Sequence, residues 1–394
     1  MTPAPMNPAP MTALPRLADA TTMRVGGDVD RWIEATTRDE VVSAYAELLE
    51  RDEEHLLLGG GSNTVASNER YEGTVLRVAT RGIRTLPAAE RPQRPPGEEP
   101  PLDDAVVLRV EAGESWDALV ALAVAEGLTG IEALSGVPGS VGAAPIQNIG
   151  AYGQELSATL QGIELLCLDE HGELAVREVP ASELRLGYRD SAIKQGVLRG
   201  VVLSVDLRLR RSPDGRSQPI AYQQLATALD VELGTRVPLE DVRSSVLALR
   251  DSKGMVLSDD PDSVSAGSFF TNPIVSARFA ATLPKELPRW STAPEPRATV
   301  LPLDADTALP SFDRPVPRVK LSAAWLIEQA GIGRGFSLPG SRAAVSTKHT
   351  LALTNRGGAT GEEIAELARF VQARVENQFG VHLVPEPVLV GLSL

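Results

Sequence analysis

The sequence predicts an α+β fold that is divided into more than one domain. Segments with strand and helix patterns follow one another along the chain, and hairpin-like turns lie between strands. The 394 residues exceed what one hydrophobic core usually covers. Hydrophobic residues make up 43% of the chain, which is enough for sizeable interiors.

The first half of the chain carries two strand patterns and one clear helix. "TVLRVAT" (74–80) and "AVVLRVEAG" (105–113) are rich in β-branched residues and predict strands. "SWDALVALAVAEG" (115–127) predicts an amphipathic helix, because Ser115 is a good N-cap and Gly127 is a typical C-terminal stop.

The second half continues the mixed pattern. "GVVLSVDLRLR" (200–210) predicts a strand, and "LEDVRSSVLALRDSKG" (239–254) predicts a helix with a basic end that suits its dipole. "TGEEIAELARFVQARVENQFG" (360–380) predicts a long helix that begins with a capping box of Thr360 and Glu363.

Three proline-rich segments indicate peripheral chain. Residues 1–19 lack a basic start and an apolar run, so we interpret them as a disordered tail and not as a signal peptide. Residues 86–104 and 283–317 are dense in proline, which removes hydrogen-bond donors, and we expect surface loops there without core elements.

Charge and cysteine content limit the function classes. Lysine and arginine total 38 against 52 acidic residues, which argues against nucleic acid or an anionic membrane as a partner. No segment approaches the ~20 apolar residues of a membrane span. Cys167 is the sole cysteine, which fits a reducing compartment and an inert thiol in a strand, so we expect a cytoplasmic protein. The four histidines show no metal-ligand spacing, and we expect no metal.

Two glycine-rich loops are the first functional signal. "HLLLGGGSNTV" (55–65) ends a strand in three glycines, which fits either a tight turn or an anion-binding loop. "LSGVPGSVGAAPIQNIGAYGQEL" (134–156) is long and uncharged, which indicates that it lines a large flat ligand. Together they suit a dinucleotide such as FAD. "AGIGRGF" (330–336) follows a helix, so we interpret it as a C-cap and turn.

A third signal is "GSFFTNP" (267–273), where one serine stands between a glycine and two phenylalanines. It fits a strand that ends at Pro273 in a turn. It also fits a proton donor, Ser268, held in a dry site by the aromatic rings.

These motifs resemble the UDP-N-acetylenolpyruvoylglucosamine reductase family. "LGGGSN", "GVPGSVGAAPIQNIGAYG", "YRDSAIK", "GSFFTNP" and "PEPVLVG" occur in the family's order over residues 20–392. The resemblance implies a two-lobed FAD-binding fold of the vanillyl-alcohol-oxidase type plus a third, substrate-binding α+β domain. We place the first lobe at 20–83, the second at 84–231 with completion by 380–394, and the substrate domain at 232–379.

The resemblance also implies the cofactors and their ligands. FAD is expected to bind without a covalent link, with NADPH as the hydride donor. The residues expected to contact FAD come from the two glycine loops: Gly59, Gly60, Gly61, Ser62, Asn63, Ser135, Gly136, Pro138, Gly139, Gly142, Ala143, Asn148, Gly150 and Ala151.

The reaction implied by the resemblance is the reduction of an enolpyruvyl ether on a UDP-sugar. Arg189 is expected to bind the substrate carboxylate, Ser268 to act as general acid, and Glu386 to lie beside the reacting carbon and pair with Ser268. Most relatives have valine where this chain has Pro387. Further substrate contacts are expected from Tyr152, Tyr188, Tyr222, Lys253, Asn272 and His349.

Two rival functions remain at this point. A related FAD oxidase of alcohols or lactones often tethers its flavin through histidine or cysteine, and neither the glycine turn at 59–63 nor the loop at 134–156 contains one. A non-enzymatic nucleotide-sugar-binding protein has no reason to keep Arg189, Ser268 and Glu386 together. We expect a monomer.

Overall fold

The computed structural model describes residues 15–87, 105–292 and 317–394. The helices within these ranges are α1 (Arg38–Glu50), α2 (Trp116–Ala125), α3 (Gln223–Ala228), α4 (Leu239–Asp251), α5 (Ala277–Ala280), α6 (Ala323–Gln329) and α7 (Gly361–Phe379). The strands are β1 (Val29–Ala35), β2 (His55–Leu58), β3 (Thr64–Ala66), β4 (Tyr71–Val78), β5 (Ile83–Thr85), β6 (Ala105–Glu111), β7 (Leu128–Thr129), β8 (Gly150–Ala151), β9 (Gln154–Glu155), β10 (Leu160–Leu168), β11 (Leu174–Pro180), β12 (Val201–Arg211), β13 (Ile274–Ser276), β14 (Arg289–Ser291), β15 (Arg318–Leu321), β16 (Ala343–Val345), β17 (Leu353–Asn355) and β18 (Val388–Val390).

A small parallel sheet carries the first glycine loop. Its strands lie in the order β1-β4-β2, and α1 forms the connection from β1 to β2. Thr37 and Glu40 form a capping box at the start of α1. The buried face of α1 belongs to the same hydrophobic core as residues of β4. The first glycine loop therefore leaves the carboxyl end of β2, which is where parallel sheets commonly present ligand-binding loops.

A larger antiparallel sheet supports the second glycine loop. Its order is β11-β10-β12-β6-β5, and β7 pairs with the far end of β12. The predicted helix α2 begins at its N-cap Ser115 and buries Trp116, whose indole Nε1 donates to the carbonyl oxygen of Leu134 at 3.2 Å. This hydrogen bond fixes the start of the second loop against the helix.

The chain after residue 260 builds a second core around α7. Its short sheets are β13-β15-β14 and β16-β17, and α6 packs in the same cluster. The capping box of Thr360 and Glu363 starts α7 as predicted, and Gly380 ends the helix with φ +64°. The prediction that 330–336 ends a helix is also confirmed, since Gly331 follows α6 with φ +85°.

The last strand joins the two ends of the chain. β18 pairs in parallel with β3, which directly follows the first glycine loop. Residues 380–394 thus add a strand to the 20–83 segment. We had expected them to complete the 84–231 segment instead. Within residues 381–391, only Val388–Val390 form a strand. The other domain bounds stay a prediction.

Several expectations about peripheral and strand segments are wrong. "GSFFTNP" is no regular strand, because only Phe270 forms a bridge, to Pro385, and Pro273 precedes β13 instead of ending a strand. Leu17, Leu86 and Leu287 are buried although they fall in segments predicted as a tail or surface loops. β14 also lies within 283–317, where Pro288 stands just before the strand and costs it no hydrogen bond. Residues 1–14, 88–104 and 293–316 of those three segments lie outside the described residues.

Candidate active site

A central cavity of about 450 Å³ lies where the two glycine loops, the turn at Arg189 and the C-terminal segment meet. It brings together most of the residues singled out from the sequence, which come from eight separate parts of the chain. Those that line it are Gly59, Gly60, Gly61, Ser62, Asn63, Pro138, Gly139, Ala143, Gly150, Ala151, Tyr152, Arg189, Tyr222, Lys253, Ser268, His349 and Glu386.

The two glycine loops pack directly against each other. A Cβ atom at Gly60 would lie 2.7 Å from the Cα of Gly139, and one at Gly59 would lie 2.3 Å from the Oγ of Ser140. Ser62 Oγ donates to the carbonyl oxygen of Pro138 at 3.1 Å. Glycine is therefore required at 60 because the backbones touch. The bare backbone that results offers N–H groups to a phosphate-bearing ligand, so the loops fit a dinucleotide.

Asn63 ties three segments of the cavity wall together. Its amide nitrogen donates to Gln147 Oε1 at 2.9 Å and to the carbonyl oxygen of Glu386 at 3.1 Å. The backbone N–H of Val388 donates to the carbonyl oxygen of Asn63 at 2.9 Å. Asn63 thus fixes the C-terminal segment against both glycine loops.

Four residues expected to contact the cofactor do not line the cavity. Ser135 is fully buried and donates to the carbonyl oxygen of Glu132, and Asn148 donates to that of Gly187 at 3.0 Å. A Cβ at Gly142 would lie 2.5 Å from the Cβ of Ala112, and one at Gly136 would lie 2.8 Å from Leu247. In this structure they shape the second loop from behind.

Arg189 lies at the tip of a tight turn and points into the cavity. Gly187 and Asp190 close the turn with two backbone hydrogen bonds, and Arg189 has φ +54°. Its Nη2 donates to the carbonyl oxygen of Gly150 at 2.8 Å. Its Nε lies 3.2 Å from Glu386 Oε1, an ion pair in which the two side chains are 23% and 12% exposed. The guanidinium is thereby fixed in direction at the junction of two walls.

Glu386 is a shielded carboxylate in the C-terminal segment. Its backbone N–H donates to the carbonyl oxygen of Phe269 at 2.8 Å, which places it beside the "GSFFTNP" segment. Burial raises the pKa of the Glu386 carboxyl above its usual range, while the positive charges of Arg189 and Lys194 act in the opposite direction. A carboxylate in such a setting is poised to gain or lose a proton during a reaction.

Ser268 lies on the cavity wall directly after Gly267, whose backbone angle favours glycine. Gly267 has φ +73°, and a Cβ there would meet open space, so it is the backbone angle that requires glycine. Phe269 and Phe270 are buried, with ring centroids 5.1 Å apart, and belong to the core beneath. Among the residues that the structure describes, the Ser268 hydroxyl has no hydrogen-bond partner, so the expected pair with Glu386 is not formed here.

Lys253, Tyr152 and Tyr222 form a basic and aromatic cluster on another wall of the cavity. Lys253 Nζ donates to Gln224 Oε1 at 2.8 Å and lies 5.4 Å from the ring centroid of Tyr152. The Tyr152 and Tyr222 rings meet edge to face at 5.8 Å. Burial lowers the pKa of Lys253, and the nearby charge of Arg250 lowers it further. An ammonium that has no acidic partner among the described residues and lies beside aromatic rings suits an anionic nucleotide group.

His349 is a neutral group of the same wall. Burial lowers its pKa to about 4, and the positive charges of Lys253 and Arg334 act in the same direction. At neutral pH the ring can donate or accept one hydrogen bond at each nitrogen without adding charge.

Two residues expected to bind substrate lie away from the cavity. The Asn272 side-chain oxygen accepts from the backbone N–H of Ala323 at 2.9 Å, at the start of α6. The Tyr188 hydroxyl accepts from the backbone N–H of Asn272 at 3.4 Å, and Lys320 lies 4.9 Å from its ring centroid. Both residues support the wall behind Arg189.

The sequence analysis missed two basic residues of the cavity. Arg250 is 8% exposed, and its guanidinium donates to the carbonyl oxygens of Gly136 and Met255, both at 3.0 Å. Lys194 donates from Nζ to the carbonyl oxygen of Arg189 at 3.0 Å. The basic end of the helix at 239–254 was the only sequence signal for Arg250, and Lys194 had none beyond its place in "YRDSAIK".

A second cavity of about 630 Å³ shares Tyr152 with the first. Neither Arg189 nor the three glycines of the first loop line it, so the central cavity is the candidate active site. Across the described ranges, no helix is long and apolar enough to cross a membrane. Within those same ranges, no three histidine, cysteine or acidic side chains are grouped as metal ligands.

Comparisons with known proteins agree with this geometry. Residues 29–175 match the family model "FAD binding domain", and residues 260–390 match "UDP-N-acetylenolpyruvoylglucosamine reductase, C-terminal domain". The UDP-N-acetylenolpyruvoylglucosamine reductase of Leifsonia xyli subsp. xyli is 54% identical, over 98% of this chain and 100% of that protein. The one of Saccharopolyspora erythraea is 46% identical, over 96% and 95%.

A solved structure gives the same fold. UDP-N-acetylenolpyruvylglucosamine reductase from Thermus caldophilus superimposes with a TM-score of 0.57 at 22% identity, over 95% of this chain and 97% of that one. The predicted α+β class is confirmed. The chain belongs to the UDP-N-acetylenolpyruvoylglucosamine reductase family of FAD-dependent oxidoreductases.

Proposed function

We propose that this protein uses NADPH to reduce the enolpyruvyl ether of a UDP-N-acetylglucosamine to UDP-N-acetylmuramate. The observation that carries the proposal is the convergence of Arg189, Ser268 and Glu386 on one cavity whose floor is the two glycine loops. Arg189 and Glu386 form an ion pair there, and Ser268 lies on the same wall with its hydroxyl unengaged among the described residues.

FAD is the hydride carrier of the proposed reaction. The touching backbones of Gly60 and Gly139 leave main-chain atoms without side-chain cover at the cavity, which suits close contact with a phosphate-bearing ligand. When bound, FAD would supply the hydride that reduces the enolpyruvyl group at its terminal carbon. The cavity must then hold the negative charge that spreads into the substrate carboxylate and deliver one proton to the adjacent carbon.

Arg189 is the group we propose for the carboxylate. A guanidinium keeps its charge and offers paired donors, and here one edge is already held by the carbonyl oxygen of Gly150. A preorganised cation stabilises developing charge without a reorganisation cost at the moment of reaction. Glu386 Oε1 lies 3.2 Å from Nε and pairs with the guanidinium charge, although Nε makes no hydrogen bond within the described ranges, so the bond to Gly150 sets the orientation.

Ser268 is the group we propose as general acid. A serine hydroxyl is a weak acid in water, so it needs a shielded site with charges nearby. The buried pair of Phe269 and Phe270 excludes water from the segment beneath it, and Glu386 is held to that segment through the carbonyl oxygen of Phe269. The unengaged hydroxyl leaves its proton available to a substrate carbon.

The UDP end of the substrate needs cations and flat side chains. Lys253 supplies an ammonium, and the rings of Tyr152 and Tyr222 border it. Arg250 adds a second buried positive charge between Lys253 and the second glycine loop. We propose that Lys253 contacts the diphosphate, that the enzyme works in the cytoplasm, and that it does so as a monomer.

The test separates the two half-reactions by stopped-flow flavin absorbance. NADPH reduces the flavin without a proton at the substrate carbon, so Ser268→Ala is expected to be reduced at the wild-type rate. Reoxidation by the enolpyruvyl substrate is expected to slow by about 10²–10⁴-fold, which is typical of lost general acid catalysis. Ser268→Cys is expected to recover part of the rate, because a thiol can also deliver a proton.

Ser43→Ala, at an exposed position of α1, is the matched control and is expected to behave as wild type in both steps. Normal reoxidation in Ser268→Ala would make Ser268 a turn residue only. A wild-type flavin that substrate cannot reoxidise at all would refute the proposed function.

A further inference from the structure

Lys194 contacts the tight turn that carries Arg189 but lies outside that turn. Its side chain is exposed and lies on the cavity wall, and Nζ donates to the carbonyl oxygen of Arg189 at 3.0 Å. Its own backbone is fixed, because the Lys194 N–H donates to Ser191 Oγ at 3.1 Å and that hydroxyl donates to the carbonyl oxygen of Ile146 at 2.6 Å. The ammonium therefore reaches the turn from a base anchored to the second glycine loop.

The turn that Lys194 contacts is strained. Arg189 is not glycine, yet it has φ +54°, a left-handed conformation that is unfavourable for an L-residue. Within the described ranges, Lys194 Nζ is the hydrogen-bond partner of the Arg189 carbonyl. Without that donor the Arg189 carbonyl would lose this partner, and one of the contacts that keep the strained turn in place beside Glu386 would be gone.

The charges around Glu386 give Lys194 a second effect. The groups that face this carboxylate are the guanidinium of Arg189, the ammonium of Lys194 and, more weakly, the hydroxyl of Tyr188. Both cations lower the pKa of Glu386 against the effect of burial. Loss of Lys194 would remove one of the two.

We propose that Lys194 is a positioning residue for the Arg189–Glu386 pair, since its ammonium holds the strained turn and adds a second positive charge beside the carboxylate. The effect on catalysis rests on the proposed function above. The effect of Lys194 on the pKa of the Glu386 carboxyl does not depend on which substrate the enzyme reduces.

The experiment compares Lys194→Met, Lys194→Arg and the control Lys285→Met, which removes an exposed lysine outside the cavity. Flavin reduction by NADPH is expected to stay normal in all three. Reoxidation by the enolpyruvyl substrate is expected to slow about 10- to 100-fold in Lys194→Met, since misplacing a catalytic group by ~1 Å costs rate of that order. Lys194→Arg keeps the donor and the charge and is expected to restore most of the rate.

The pH dependence gives a readout that a purely structural role would not move. Removing a positive charge raises the pKa of Glu386, so the acid limb of the reoxidation profile is expected at higher pH in Lys194→Met and at the wild-type position in Lys194→Arg. A second measurement needs no substrate. The carboxyl band of Glu386 is followed by infrared spectroscopy as the pH is changed, and it is assigned as the band that disappears in Glu386→Gln.

Each outcome decides the proposal. An infrared midpoint that is the same in wild type and Lys194→Met overturns it, whatever reaction the enzyme catalyses. So does an equal slowing of both half-reactions, or the same slowing in Lys285→Met. If the midpoint rises but substrate does not reoxidise the wild-type flavin, the role of Lys194 stands and the proposed function fails.

Discussion

Gly60→Ala tests whether contact between the two glycine loops sets the affinity for FAD. The added Cβ would lie 2.7 Å from the Cα of Gly139, 3.0 Å from its carbonyl carbon and 3.1 Å from the nitrogen of Ser140. Carbon atoms in contact stand about 3.5–4.0 Å apart, so the loops would have to separate by about 1 Å. All three atoms belong to the backbone, and no side-chain rotation can relieve the clash.

The size of the effect follows from that clash. Overpacking of this kind costs about 1–3 kcal/mol. Because FAD needs both loops in place, the cost falls on binding and raises the dissociation constant about 5- to 150-fold. Gly59→Ala is expected to have a smaller effect, since its Cβ would meet only the rotatable hydroxyl of Ser140.

The assay is a titration of the flavin-free protein with FAD, followed by the change in flavin fluorescence. Gly333→Ala is the matched control, because a Cβ there meets no atom within 4 Å. Equal FAD affinity in Gly60→Ala and Gly333→Ala would refute the argument that backbone contact makes Gly60 necessary.

Three further predictions follow from single side chains. Lys253→Ala is expected to weaken substrate binding by about 1.5–3 kcal/mol, measured by flavin spectral titration, with flavin reduction by NADPH unchanged; an unaltered affinity would remove Lys253 from the site. His349 has a pKa of about 4 when folded against about 6.5 unfolded, so the unfolded state binds more protons between these values and stability falls as pH drops from 6.5 to 4. Urea unfolding is expected to show a smaller loss of stability over that range in His349→Gln, and an equal loss would contradict the burial argument. Thr360→Ala removes the N-cap of α7 and is expected to lower the free energy of unfolding by about 1 kcal/mol, whereas an unchanged urea midpoint would show that the cap contributes nothing.

Local chemistry explains which elements the sequence predicted correctly. The cap at Thr360, the apolar face and the stop at Gly380 are all encoded within one segment, and α7 forms with those bounds. The strand expected at "GSFFTNP" failed for the opposite reason, since its one bridge is to Pro385, more than a hundred residues away. Leu287 likewise appeared peripheral among prolines, yet tertiary packing buries it.

The candidate site shows the same division. The order of the motifs predicted that Arg189, Ser268 and Glu386 would share one site, and all three line the cavity. The prediction was possible because the family pattern carries long-range information that composition lacks. It could not separate residues that face the cavity from those behind it: Ser135 and Asn148, predicted as cofactor contacts, lie outside the cavity lining and hydrogen-bond to neighbouring carbonyl oxygens. Side-chain direction in irregular loops has no periodic signal to read.

The pairing of β18 with β3 has a consequence for the order in which the molecule becomes active. Asn63 and Glu386 are 323 positions apart, and contacts of such separation form late because chain entropy must be lost before they are rewarded. The local strands and helices can be complete while the cavity still lacks its carboxylate. During refolding we therefore expect near-native secondary structure to precede catalytic competence, with the docking of the C-terminal segment as the step that closes the site.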